Sequence, residues 1–156
     1  MEKHLESSFR ELERKGLLKK ENIGIDQVKA LRESASRNIY ASEKNITIDE
    51  EACYTLAYNG MLKIARAVLF INGYRPYGGQ QHATTIRVAG ETLGDKFREL
   101  IGVFDKMRRK RNQFTYDPML PLSRTEAENA LQTAKDFYRK VKITLDNEYP
   151  QLKLFD

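Results

Sequence analysis

The stretch Asp49–Asn72, DEEACYTLAYNGMLKIARAVLFIN, decides the fold of this chain. Its apolar residues fall on nearly every side of a helix: Ala52, Tyr54, Leu56, Ala57, Met61, Leu62, Ile64, Ala65, Val68, Leu69 and Ile71. A helix without a polar face is enclosed either by other helices of a bundle or by a second subunit. We therefore predict that Ala52 to Ile71 is the most buried helix. Tyr54 and Tyr58 are either core tyrosines with satisfied hydroxyls or part of a subunit interface.

The sequence on either side of this stretch predicts further amphipathic helices, because apolar residues recur every three or four positions. We expect them at about 5–18, 26–44, 82–93, 94–117 and 124–148. Thr47 with Glu50 and Ser123 with Glu126 have the spacing of capping boxes, which would start two helices. The chain is therefore predicted to be a single domain over residues 1–156 with an all-α fold. Its architecture would be an antiparallel up-and-down bundle of four long helices plus a short one.

Composition and charge narrow the class of protein. Of the 156 residues, 40% are hydrophobic and 31% are charged, which is typical of a globular chain. The apolar runs are far shorter than a membrane span and the N-terminus is charged, so we predict a cytoplasmic protein with no membrane segment. The net charge of +5 favours contact with polyanions such as RNA. The tail 151–156 contains three apolar residues (Leu152, Leu154 and Phe155) and is expected to dock on the bundle or to bind a partner.

A second informative stretch is Asp105–Asp117, DKMRRKRNQFTYD. The apolar face of the preceding helix leads directly into Arg111, and a guanidinium at the rim of an apolar face costs desolvation energy unless something pairs with it. One interpretation is a structural salt bridge or a snorkelling side chain. The other is an anion site for phosphate, in a positive field from neighbouring basic residues: Lys106, Arg108, Arg109 and Lys110.

The segment RNQFTYD after a basic helix end resembles the RNxxxH segment of HEPN domains, and the helix order and the GYRPYGGQQH stretch resemble them too. HEPN domains are small all-helical proteins of prokaryotic toxin–antitoxin and defence systems. Their active members are metal-independent RNases with a motif of an Arg, four to six residues and a His. In this sequence four residues separate Arg111 from Tyr116, which occupies the first possible histidine slot, and Asp117 and Pro118 follow. The family motif is therefore degenerate here.

The resemblance implies site residues. Arg111, Asn112 and Tyr116 would be catalytic and would converge on one pocket, with Arg108, Arg109 and Lys110 as nucleic-acid-binding residues. Arg111 suits phosphate because its planar fork clasps two oxygens, whereas a phenol is a poor base at neutral pH.

Other residues could take part in proton transfer. Asp117 could act as a base or pair with Arg111. His82 is the alternative proton carrier, although a lone histidine at a helix start is more often a cap or a packing residue.

Three classes of function stay open at this point. The first is a metal-independent endoribonuclease toxin that acts as a homodimer. The second is a degenerate module that binds RNA, a nucleotide or a nucleotidyltransferase-type antitoxin. A helical interaction protein is a third class. The sequence has no metal-ligand spacing and no dinucleotide fingerprint, so we expect neither a metal nor a cofactor.

Overall fold

A computed structural model of the chain describes residues 2–153, without the side chains of Glu2 and Lys3. The helices are α1 (Glu2–Arg14), α2 (Ile25–Asn45), α3 (Glu50–Ile71), α4 (Gln81–Leu93), α5 (Arg98–Tyr116), α6 (Arg124–Glu148) and the short α7 (Pro150–Lys153). A 3₁₀ turn, Asp95–Phe97, leads into α5. The predicted all-α fold is confirmed. Within residues 2–153 no helix is long and apolar enough to cross a membrane.

Helix α3 lies at the centre and contacts α2, α4, α5 and α6. More of its residues are buried than those of any other described helix, which confirms the prediction made from its apolar sequence. Tyr54 and Tyr58 are 6% and 0% exposed within the single chain, so they are core tyrosines and not part of an exposed interface. The side chains of this one chain therefore suffice to enclose α3.

Two contacts hold α2 in place. Gly60 of α3 lies so close to α2 that an added Cβ would be 2.6 Å from Ile39 Cγ1 and 3.2 Å from the Ala35 carbonyl oxygen. At the other side, Arg32 Nη1 donates to Asp146 Oδ1 of α6 at 2.9 Å, and both side chains are nearly buried. The glycine thus sets the α2–α3 distance, and the ion pair joins α2 to α6.

A two-stranded ribbon is the element that the sequence pattern did not predict. Strand β1 (Leu18–Lys20) pairs antiparallel with β2 (Tyr74–Pro76), with Leu18 opposite Pro76. Strands of three residues are too short for an alternating pattern to be recognised. The ribbon brings the loop before α4 against the turn after α1, where Tyr77 N donates to the Leu17 carbonyl at 2.9 Å. Gly78, with φ +67°, has no room for a side chain beside the Gly16 carbonyl. These contacts fix where α4 begins.

Several helix ends differ from the prediction. The N-cap of α3 is Asp49, whose carboxylate accepts from Glu51 N and Ala52 N, so the predicted capping box of Thr47 is wrong. The capping box at the start of α6 is confirmed. Helix α1 ends at Arg14, before the predicted Leu18. In the tail Leu152 is buried, which agrees with docking, while Leu154 and Phe155 lie outside the described residues.

Candidate functional site

The last turns of α5 and the first turn of α4 form an open cleft of about 590 Å³. Arg108, Arg111 and Asn112 lie on one face of α5, because residues three and four apart are neighbours on a helix. They meet the residues at the start of α4 across the cleft: Gln80, Gln81, His82 and Ala83. Gln80, the residue before α4, has the left-handed φ of +58°, which is uncommon outside glycine. The cleft thus lies between α4 and α5, and its two sides come together only in the folded chain.

In the described structure, no carboxylate pairs with Arg111. Its Nη1 donates to Asn112 Oδ1 at 3.4 Å, and its Cζ lies 6.0 Å from the centre of the Tyr58 ring. Among the described residues its buried Nε has no hydrogen-bond partner. A buried N–H without an acceptor costs about 1–3 kcal/mol, and Arg111 also lines the cleft, where its guanidinium can donate to an anion. This arrangement favours the anion-site interpretation of Arg111 over the structural salt bridge.

The basic residues before Arg111 point in different directions, since each residue turns the helix by about 100°. Arg108 lines the cleft and donates from Nε to Asp105 Oδ1 at 2.9 Å. Arg109 is not among the lining residues; its guanidinium pairs with Asp105 Oδ2, also at 2.9 Å. Lys110 turns to α6 and pairs with Glu126 at 3.2 Å. Of these three predicted nucleic-acid-binding residues, the structure brings Arg108 into the cleft.

Tyr116 is not brought together with Arg111 and Asn112. It is the last residue of α5, its side chain is 85% exposed, and it does not line the cleft. Five residues after Arg111, the helix has turned by about 140°, so the two side chains leave α5 in different directions. Asp117 accepts from Met119 N at 3.0 Å in the turn that ends the helix. The cleft therefore contains two of the three predicted catalytic residues.

His82 lies across the cleft from Arg111, in the pocket where the motif spacing predicted Tyr116. Its Nδ1 lies 3.0 Å from Tyr58 Oη, and the two rings are 5.8 Å apart. Burial lowers the pKa of His82, and the charges of Arg111, Arg66 and Arg108 lower it further. The imidazole is thus neutral at pH 7. Burial also raises the pKa of Tyr58 to about 12, so its hydroxyl keeps the proton.

From the sequence we did not connect Tyr58 or Arg66 with the cleft. Arg66 Nη2 donates to Gln81 Oε1 at 3.4 Å, and its Nε is buried with no partner among the described residues. Arg66 and Lys63 are the two basic residues in the mostly apolar helix α3, and this was the available signal for Arg66. Tyr58 and His82 are 24 residues apart, and no local pattern predicts that contact.

The polar side chains that line the cleft offer hydrogen-bond donors. Two are guanidinium groups, three are amides and one is an imidazole; none of the lining side chains in the described structure is a carboxylate. In the part of the chain that the structure describes, no side chain caps the N-terminus of α4, so its first N–H groups add the positive end of a helix dipole. Such a set of donors suits an anion with several oxygens, above all a phosphate.

A comparison with family models finds a match to the HEPN domain over residues 28–144. The matched span runs from the first turn of α2 to near the end of α6 and includes every residue that lines the cleft. A search of the curated proteins found no match.

Proposed function

Because this chain belongs to the HEPN domain family, we propose that it binds RNA through a backbone phosphate held in the cleft between α4 and α5. The observation that carries the proposal is the guanidinium of Arg111, which lines the cleft and whose buried Nε has no acceptor within residues 2–153. A phosphate supplies several acceptor oxygens and a negative charge, and Arg is the side chain that contacts it at two oxygens. The net charge of +5 assists the approach of a polyanion.

Metal-independent cleavage of the bound RNA is the second candidate function. The position of His82 favours it, because the family motif pairs an arginine with a histidine and here a histidine faces Arg111 from another helix. Cleavage needs donors for the charge on phosphorus and a group that transfers a proton. Arg111 and Asn112 meet the first need, and His82 is the group in the cleft suited to the second. Such an RNase activity would agree with the toxin function that the resemblance to HEPN domains implies.

The binding proposal is tested with a labelled single-stranded RNA and three proteins. Wild type should bind, and Arg111→Ala should weaken binding by roughly 1.5–3 kcal/mol, or about 10–150-fold, because a charge-assisted contact is lost. The slope of log affinity against log salt should fall by about 0.7. Arg109→Ala is the matched control, since it removes an arginine of the same helix that lies outside the cleft. Equal losses in the two variants, or no binding by wild type, would contradict the proposal.

Cleavage is tested with the same RNA in EDTA, using wild type, His82→Gln and Tyr116→Phe. The second candidate expects wild type to cleave and His82→Gln to lose about 10²–10⁴-fold in rate, the usual contribution of a proton-transfer group. Tyr116→Phe should cleave like wild type. The opposite pattern would return the catalytic role to Tyr116, as the motif spacing first predicted. Binding without cleavage by wild type would leave the RNA-binding function alone.

A further inference from the structure

Tyr58 contacts two side chains of the cleft, His82 and Arg111, from the protein interior. It belongs to the central helix α3, is fully buried, and packs against the ring of Phe104 at 5.7 Å. Its hydroxyl reaches His82 Nδ1 at 3.0 Å, and its ring lies 6.0 Å from the Cζ of Arg111. One buried side chain therefore joins α3 to the groups that α4 and α5 bring to the cleft.

In the hydrogen bond between Tyr58 and His82, the Tyr58 hydroxyl is the donor. Among the described residues, His82 Nδ1 is the polar atom within hydrogen-bond reach of the Tyr58 hydroxyl. The hydroxyl keeps its proton, and a buried O–H without an acceptor is unfavourable. The O–H of Tyr58 therefore donates to Nδ1. A neutral imidazole whose Nδ1 accepts has its hydrogen on Nε2.

A protonated ring does not fit this environment. Its Nδ1 would also carry a hydrogen, so the Tyr58 hydroxyl would have to rotate to accept from it, and its own buried O–H would then lack an acceptor among the described residues. It would add a third positive charge beside Arg66 of α3 and Arg111 of α5, with Arg108 near them and partly compensated by Asp105. His82 is consequently a neutral group whose second nitrogen, Nε2, carries an N–H.

We propose that Tyr58 is a positioning residue that holds His82 in the tautomer with its hydrogen on Nε2, so that the imidazole donates a hydrogen bond to the phosphate in the cleft. The proposal rests on the proposed function for the identity of the ligand. It adds a donor to a cleft that is lined by two guanidinium groups and, among the described residues, by no carboxylate, which favours a ligand rich in acceptor oxygens. In this tautomer Nε2 has no lone pair for a proton, so His82 acts first as a donor to phosphate oxygen. To act as a base it would have to exchange tautomers, with rotation of the Tyr58 hydroxyl.

The tautomer is measured directly by long-range proton–nitrogen NMR of the histidine rings at pH 7, without RNA. The chain has two histidines, so the variant His4→Gln assigns the signals. Wild type should show a neutral His82 with its hydrogen on Nε2. Tyr58→Phe keeps the buried ring but removes the hydroxyl, and should show exchange between both tautomers. Tyr54→Phe is the matched control, because Tyr54 is a buried tyrosine one turn earlier in α3 that packs on Phe114. It should leave the His82 signals unchanged.

RNA affinity provides the second readout. Tyr58→Phe should bind the labelled RNA about fivefold more weakly than Tyr54→Phe, the scale of one hydrogen bond. A wild-type His82 that is protonated at pH 7, or that has its hydrogen on Nδ1, would overturn the proposal even if Tyr58→Phe failed to fold. An unchanged tautomer in folded Tyr58→Phe would overturn it as well. Absence of RNA binding by wild type would instead remove the proposed function, and the NMR result would still decide the role of Tyr58.

Discussion

Arg111 is a charged side chain whose surroundings decide what it does. The ring of Tyr58 lies beside its guanidinium, and in the described residues no carboxylate pairs with it. An aromatic face attracts a guanidinium but does not satisfy its N–H groups. Packing therefore holds the charge in place and leaves its donors to an anion. His82 differs, because burial and three arginines keep it uncharged. At the residue scale the cleft combines a fixed charge with a neutral donor.

The lowered pKa of His82 predicts a loss of stability in acid. In the unfolded chain the His82 imidazole binds a proton at about pH 6.5, whereas in the folded chain it binds one only at lower pH. The free energy of unfolding should therefore fall as the pH drops below about 6.5. It should level off below the pKa that His82 has in the folded chain. Urea unfolding from pH 7.5 to 5 should show a loss of stability that is missing in His82→Gln. His4→Gln, which removes an exposed histidine, should keep the wild-type profile. Identical pH profiles for wild type and His82→Gln would contradict this expectation.

At the scale of helices, the close contact of α2 and α3 depends on one residue without a side chain. Gly60 is costly for helix formation, yet the space beside it is filled by Ile39 and the Ala35 carbonyl. Ile39 is branched at Cβ and stiff in a helix, so it cannot easily move away. The distance between the two helices is therefore set by the backbone at Gly60.

We predict that Gly60→Ala destabilises the protein by about 1–3 kcal/mol, because overpacking outweighs the better helix propensity of alanine. Gly102→Ala is the control. Gly102 also lies inside a helix, but an added Cβ there meets nothing within 4 Å, so this variant should gain up to about 1 kcal/mol. Denaturant unfolding of both variants measures the difference. A stabilised Gly60→Ala variant would show that α2 can move away at little cost.

At the scale of the whole molecule, α3 is covered by the helices of its own chain. The surplus apolar surface on α3, from which the sequence suggested a subunit interface, is therefore absent in the described structure. Dimers are common among HEPN domains, so a homodimer stays a prediction that rests on the family. Exposed apolar side chains elsewhere are the remaining candidates for its interface, and Val103 is one of them on α5.

We predict a homodimer with α5 near its two-fold axis, as judged by light scattering at tens of micromolar. Val103→Glu should shift the molecular mass toward that of the monomer, because a buried charge at an interface is unfavourable. Ile48→Glu changes an exposed apolar residue between α2 and α3 and should leave the mass unchanged. A monomeric wild type would contradict this prediction. The cleft of a single chain would then have to bind phosphate without a partner subunit.

The sequence by itself determined the helices and the central place of α3, because the spacing of apolar residues along a helix is local information. It also singled out Arg111, since a guanidinium at the end of an apolar face is visible in the same spacing. Only the tertiary structure decided what Arg111 meets. Tyr58, His82 and Arg111 belong to three helices, and the ribbon that positions the start of α4 pairs segments far apart in the chain. Contacts of this kind depend on how the helices pack, and the motif spacing favoured Tyr116 because it records distance along α5 and not direction around it.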